Sequence, residues 1–202
     1  MTEMTEPQKK DNRPLAMGLC AVAALCLIFA AFTEQWLVNN SRYAEVGFGL
    51  RNNHECGMSY SFDGEAEAAE KKCASRTNSE VIARFKELDR TGKLTSGAFV
   101  PMGWATFIVI LLAALGLAAA TGLAAAKKQL QLPMAPTTVA LLGLMLGLIT
   151  GCVFVATKPG PAGMVGVGLS FWIFGVGCVM GIAGAQMIAK VNRPPDEEWT
   201  VD

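Results

Sequence analysis

The chain has 202 residues, of which 52% are hydrophobic, and its 17 basic and 17 acidic side chains give no formal net charge. This balance excludes a nucleic-acid partner, which requires a basic surface, and it excludes disorder driven by charge. The charges are distributed unevenly, because four stretches contain none: residues 14–33, 101–126, 137–157 and 163–189. We therefore expect the chain to lie in two solvents, lipid and water.

Each uncharged stretch is long enough to cross a membrane. A helix needs about 20 apolar residues to span roughly 30 Å of hydrocarbon. Lipid offers the backbone no hydrogen bonds, so a helix is the structure expected there. The sequence thus predicts a mainly α membrane protein, a bundle of four transmembrane helices. For the first stretch a cleaved signal peptide is the alternative, because basic residues precede it and the small residues Ala30 and Ala31 lie near its end.

Residues 34–100, between the first two spans, are too long and too patterned for a plain linker. Apolar residues occupy alternate positions within 43–50 and again within 56–62. This period of two is typical of half-buried strands. We expect an antiparallel sheet in which residues 51–54 form the turn between the two strands.

The second half of this segment favours helix. Residues 65–74 are rich in Ala, Glu and Lys, which have high helix propensity. Residues 77–79 offer side chains that cap a helix, and apolar residues follow at helical spacing: Val81, Ile82, Phe85 and Leu88. We expect one or two short helices, which together with the small sheet sit on the bundle.

Basic residues in the short connections indicate the orientation of the spans. Residues 1–13, 127–136 and 190–202 contain most of them, whereas 158–162 contains only Lys158. Since basic residues favour the cytoplasmic side, we expect both termini and the 127–136 loop in the cytoplasm. Residues 34–100 and the short 158–162 loop would then lie outside, and a plasma membrane is the expected location.

Cysteine usage agrees with this orientation. Cys56 and Cys73 are the only cysteines outside the four spans. In an oxidising compartment they are expected to form a disulfide, with two free thiols as the alternative. Asn39 begins an Asn-Asn-Ser sequon on the same side, a candidate for glycosylation.

The spans contain no Asp, Glu, Lys, Arg or His, the groups on which ion paths and proton relays usually depend. His54 is the only histidine, and no nucleophile–base pair or phosphate-binding glycine loop is present. We therefore expect no enzymatic activity, no metal site and no cofactor.

Glycines recur every four residues in the last two spans, and small residues at this spacing let helix backbones approach closely. They are Gly143, Gly147 and Gly151 in the third span and Gly177 and Gly181 in the fourth. Two interpretations are open: packing within one protomer, or contact with another protomer or a partner.

The order of features resembles the claudin-like tetraspan superfamily, which includes claudins, relatives of peripheral myelin protein 22 and calcium-channel gamma subunits. The family has four spans and, in its first outer segment, a Trp, a Gly-Leu-Trp and two Cys. The matching positions are Trp36, Gly49, Leu50, Cys56 and Cys73, and Arg51 stands at the position of the second Trp. The resemblance implies that Trp36 helps to seat the outer sheet.

The expected function is that of a non-enzymatic structural or accessory subunit. It would lie in the lipid bilayer and associate laterally with itself or with a larger membrane-protein complex. The alternative is a small channel or transporter component whose pore forms on oligomerisation.

Overall fold

The computed structural model describes residues 12–40, 44–59, 70–88, 95–126, 134–160 and 165–191. These residues form a mostly helical protein with a small antiparallel sheet. The helices are α1 (Arg13–Phe32), α2 (Asn78–Leu88), α3 (Phe99–Ala126), α4 (Pro136–Ala156) and α5 (Leu169–Val191). The strands are β1 (Leu37–Asn40), β2 (Ala44–Phe48), β3 (Asn52–Ser59), β4 (Glu70–Thr77) and β5 (Gly166–Val167).

Four helices, α1, α3, α4 and α5, are long and apolar enough to cross a membrane. They form a bundle in which α3 packs against α1 and α4, and α5 packs against α4 and closes the ring against α1. Proline stands in the first turn of α1 and of α4, where a helix requires no backbone donor. Fewer than half of the residues in the apolar window of each helix are buried within the bundle.

Close approach of α3 and α4 depends on glycine. A Cβ on Gly143 would lie 2.9 Å from the Cβ of Ala113, and one on Gly116 would lie 2.9 Å from the backbone nitrogen of Ala140. The other predicted packing glycines also face helices of the same chain: Gly147 and Gly151 face Phe174, Gly177 faces Cys26, and Gly181 faces Leu144. The structure therefore uses these glycines for packing within one chain.

The five strands form one antiparallel sheet with the order β4-β3-β2-β1-β5. The prediction of a turn over residues 51–54 was wrong, because β3 begins at Asn52. The turn is shorter, and the backbone nitrogen of Gly49 donates a hydrogen bond to the Asn52 carbonyl at 2.7 Å. Residues 60 and 62, which extended the second alternating pattern, lie outside the described residues.

The helix predicted over 65–74 was also wrong in its second half, because β4 begins at Glu70. Residues 65–69 lie outside the described residues. Every residue of β4 pairs with β3, from Ser59 opposite Glu70 to Asn52 opposite Thr77. This non-local pairing outweighs the local helix propensity of the Ala, Glu and Lys side chains.

The prediction of a helix beginning near residues 77–79 is confirmed, because α2 spans Asn78–Leu88. The hydroxyl oxygen of Thr77 accepts a hydrogen bond from the backbone nitrogen of Glu80 at 3.3 Å, which caps the start of α2. Val81 and Ile82 are buried and Phe85 is partly buried, so the apolar face of α2 packs against the rest of the protein.

The fourth predicted span, 163–189, begins too early. Gly166 and Val167 form β5, paired with Val38 and Leu37, and α5 begins only at Leu169. An apolar composition suits an edge strand as well as a helix, so hydropathy alone did not separate the two.

Alanine substitutions at two glycines of α4 test the packing. Gly143→Ala should lower the free energy of unfolding by about 1–3 kcal/mol, because the added methyl group collides with Ala113. Gly147→Ala is the matched control, because its Cβ would lie 3.7 Å from its nearest neighbours, an ordinary contact distance. Thermal unfolding in detergent should give a lower midpoint for the first variant only. Equal midpoints for the two variants would contradict this packing.

Candidate functional site at the junction of sheet and helices

Trp36 is the central residue of the junction between the sheet and the bundle. Its side chain is fully buried, and its indole Nε1 donates a hydrogen bond to the Ala30 carbonyl near the end of α1 at 2.5 Å. Three aromatic rings surround it, with centroids 5.1–5.9 Å away: Phe154 of α4 and Phe171 and Phe174 of α5. One side chain thus contacts three of the four long helices.

The backbone around Trp36 joins the same elements. Its nitrogen donates to the Phe48 carbonyl at 2.9 Å, and its carbonyl accepts from the Gly168 nitrogen at 2.8 Å. Nearby, the hydroxyl groups of Thr33 and Ser170 lie 2.6 Å apart. The start of β1 is therefore held to β2 and to the start of α5.

Gly49 and Leu50, the other residues that carried the family resemblance, lie at the same junction. A Cβ on Gly49 would lie 2.6 Å from the Thr33 carbonyl oxygen, so only glycine fits there without movement. Leu50 is buried, and the side-chain amide of Asn78 donates a hydrogen bond to the Gly49 carbonyl at 3.0 Å. This short turn is thereby fixed between the end of α1 and the start of α2.

A disulfide joins Cys56 to Cys73, which confirms the predicted pair. The two residues are directly opposite each other in β3 and β4, with Cys56 buried and Cys73 exposed. His54 Nε2 lies 2.9 Å from Cys56 Sγ, and these three residues are close enough to share an ion. Because the two sulfurs are bonded to each other, neither is available as a thiolate ligand.

A groove of about 530 Å³ lies where one face of the sheet meets the end of α1. The Glu34 carboxylate lies in it and accepts a hydrogen bond from the Ser75 hydroxyl at 2.9 Å, while His54 Nδ1 lies 3.8 Å from the same carboxylate. The groove is lined by Phe29, Phe32, Thr33, Glu34, Gln35, Val38, Glu45, Val46, Gly47 and His54. Its lining thus passes from the apolar side chains of α1 to two carboxylates, that of Glu34 in the linker before β1 and that of Glu45 on β2.

Arg51 lies on aromatic rings at the sheet end of α1 and α3. Its guanidinium carbon is 4.1 Å from the centroid of Phe107, 5.5 Å from that of Phe32 and 5.6 Å from that of Trp104. The sequence placed this arginine at a family tryptophan position but did not indicate these contacts. The one feature of the sequence that could have indicated these ring contacts is the location of Phe32 and Trp104 at the ends of two predicted spans.

Asn39, the candidate glycosylation residue, is half-buried in β1 opposite Val46. It lines a second cavity, of about 200 Å³, between the sheet and α2. Ser41 of the sequon lies outside the described residues, so glycosylation stays a prediction.

Three threonines inside the long helices donate their hydroxyl groups to their own helix backbone. Thr106 donates to Met102 at 2.7 Å, Thr121 to Leu117 at 2.8 Å, and Thr150 to Leu146 at 3.0 Å, in each case to the backbone carbonyl. Each of these bonds uses the hydroxyl proton within the same helix.

No family model matches this chain, and no curated protein matches it.

Substitution of Trp36 tests the junction. Trp36→Ala should lower the free energy of unfolding by about 3–5 kcal/mol, because it empties the space among three aromatic rings. Trp172→Ala is the matched control, because Trp172 is 63% exposed and should tolerate the change. Thermal unfolding in detergent measures both. Comparable losses in the two variants would show that Trp36 has no special role.

Proposed function

We propose that this protein is a non-enzymatic integral membrane protein that serves as a structural or accessory subunit. Four helices cross the bilayer, with both termini in the cytoplasm and the sheet outside, in a plasma membrane. The protein associates laterally with itself or with a larger membrane-protein complex. The long apolar helices support insertion, since their outward residues need lipid or a protein partner to cover them.

The observation that carries the accessory role is the groove between α1 and the sheet. Phe29 on α1 is 51% exposed, and the groove continues from it to the carboxylates of Glu34 and Glu45. An apolar surface at lipid depth followed by acidic groups at the membrane surface suits one kind of partner. That partner is a transmembrane helix with a basic residue just outside its apolar segment.

The placement of the motif residues supports a claudin-like architecture. Trp36, Gly49 and Leu50 lie together at the junction, and the Cys56–Cys73 disulfide joins two strands of the sheet. This is the arrangement that the resemblance implies, with the tryptophan seating the sheet on the bundle.

The alternative, an oligomeric pore, has less support. Thr106, Thr121 and Thr150 donate to their own helix backbones, so their hydroxyl protons are not offered to a pathway. The five predicted packing glycines of α4 and α5 face helices of the same chain, so this set is not offered to a second protomer.

A photo-crosslinking amino acid distinguishes a docking face from a lipid-facing surface. Introduced at Phe29, it should yield a protein adduct in intact membranes. Introduced at Leu142 of α4, it should yield lipid adducts only, and the two positions match because both side chains are 51% exposed. Mass spectrometry of the adducts identifies what was captured.

Equal protein yields at both positions, or lipid adducts alone at position 29, would refute the docking face. Adducts between two copies of the chain would identify self-association as the form of lateral contact.

A further inference from the structure

The chemistry of Arg51 extends beyond its role in packing. Its guanidinium lies on the aromatic cluster formed by Phe32, Trp104 and Phe107, which holds the cation through ring faces. The rings hold one another in place, with Phe107 edge-on to Phe32 at 5.4 Å and to Trp104 at 6.0 Å. The position of the guanidinium is therefore fixed before any ligand arrives.

No carboxylate among the described residues pairs with Arg51. Of the nearby carboxylates, Glu34 pairs with His54 and Glu55 with Arg76. A ring face accepts no strong hydrogen bond, so these ring contacts leave the forked N–H donors of the guanidinium unused. This fork matches the oxygens of a phosphate group in a bidentate contact.

The depth of this cluster corresponds to the level of lipid headgroups. Helix α1 has 20 residues, so at about 1.5 Å per residue its length is about 30 Å, the thickness of the hydrocarbon core. Phe32 is the last residue of α1, and Trp104 lies in the second turn of α3. Phe32 is 58% and Trp104 48% exposed, as expected of aromatic residues at the membrane border.

We propose that Arg51 and its aromatic cluster form a binding site for the phosphate of an anionic phospholipid in the leaflet next to the sheet. The guanidinium binds the phosphate oxygens, while Phe32 and Trp104 contact the upper part of the acyl chains. The proposal rests on membrane insertion, which belongs to the proposed function, but not on any partner protein. The bound lipid would cover the outer end of the α1–α3 interface.

Native mass spectrometry of the full chain in mild detergent, titrated with phosphatidylglycerol, tests the site. Arg51→Gln should weaken binding about tenfold, because it removes a charge-assisted bidentate contact. Arg51→Lys should retain part of the affinity, because it keeps the charge but not the fork. Arg84→Gln removes an exposed charge from α2 and is the matched control, with affinity unchanged.

Two comparison ligands distinguish the sources of phosphate. Phosphatidylcholine should bind more weakly than phosphatidylglycerol, and soluble glycerol phosphate should not compete at equal concentration. Effective competition by glycerol phosphate would mean a soluble phosphate site and would overturn the lipid assignment. An intact disulfide and a single cooperative unfolding transition establish that each variant is folded.

Unchanged phosphatidylglycerol affinity in folded Arg51→Gln would overturn the proposal. A loss of protein adducts from position 29 in that variant, with lipid binding intact, would instead assign Arg51 to a partner's carboxylate. Failure of the chain to resist carbonate extraction from membranes would contradict the proposed function itself. That result is separate from a failure of lipid binding by an inserted protein.

Discussion

The burial of one tryptophan determines how the two halves of this protein fit together. A buried indole needs an apolar cavity and an acceptor for its N–H group, and Trp36 finds both only where α1, α4 and α5 converge. Because Trp36 directly precedes β1, the burial of its ring and the hydrogen bond of its N–H group fix the position of the first strand. Leu37 and Phe48 of the sheet are buried in one core with the helices, so the sheet gains stability from this contact.

Glycines, which have no Cβ, allow the rest of the junction to pack closely. The linker between α1 and β1 is residues 33–36, and the carbonyl oxygens of its first three residues lie against three glycines. Glu34 lies against Gly47, Thr33 against Gly49 and Gln35 against Gly168, and a Cβ at any of the three would collide with the linker. The sheet therefore approaches the bundle backbone to backbone, and the groove and the Arg51 cluster are consequences of that approach.

The sequence predicted the parts that depend on composition and local period: the four apolar helices, a small sheet, the capped helix α2 and the disulfide. It failed where distant residues decide the structure. Residues 70–74 favour helix locally but pair with β3, and Gly166 and Val167 have span-like composition but extend the sheet beside β1. The cation–π contacts of Arg51 were equally inaccessible, because they join residues from three separate segments. Periodicity reports one face of one element and carries no information on which elements meet.

The proposed function requires that the four long helices cross the bilayer with the sheet on the outer side. Single cysteines at two exposed positions, Arg84→Cys on α2 and Ala126→Cys at the far end of α3, test it directly. A membrane-impermeant maleimide applied to intact cells should label position 84 at once and position 126 only after permeabilisation. Labelling of position 126 in intact cells, or protection of position 84, would contradict the account.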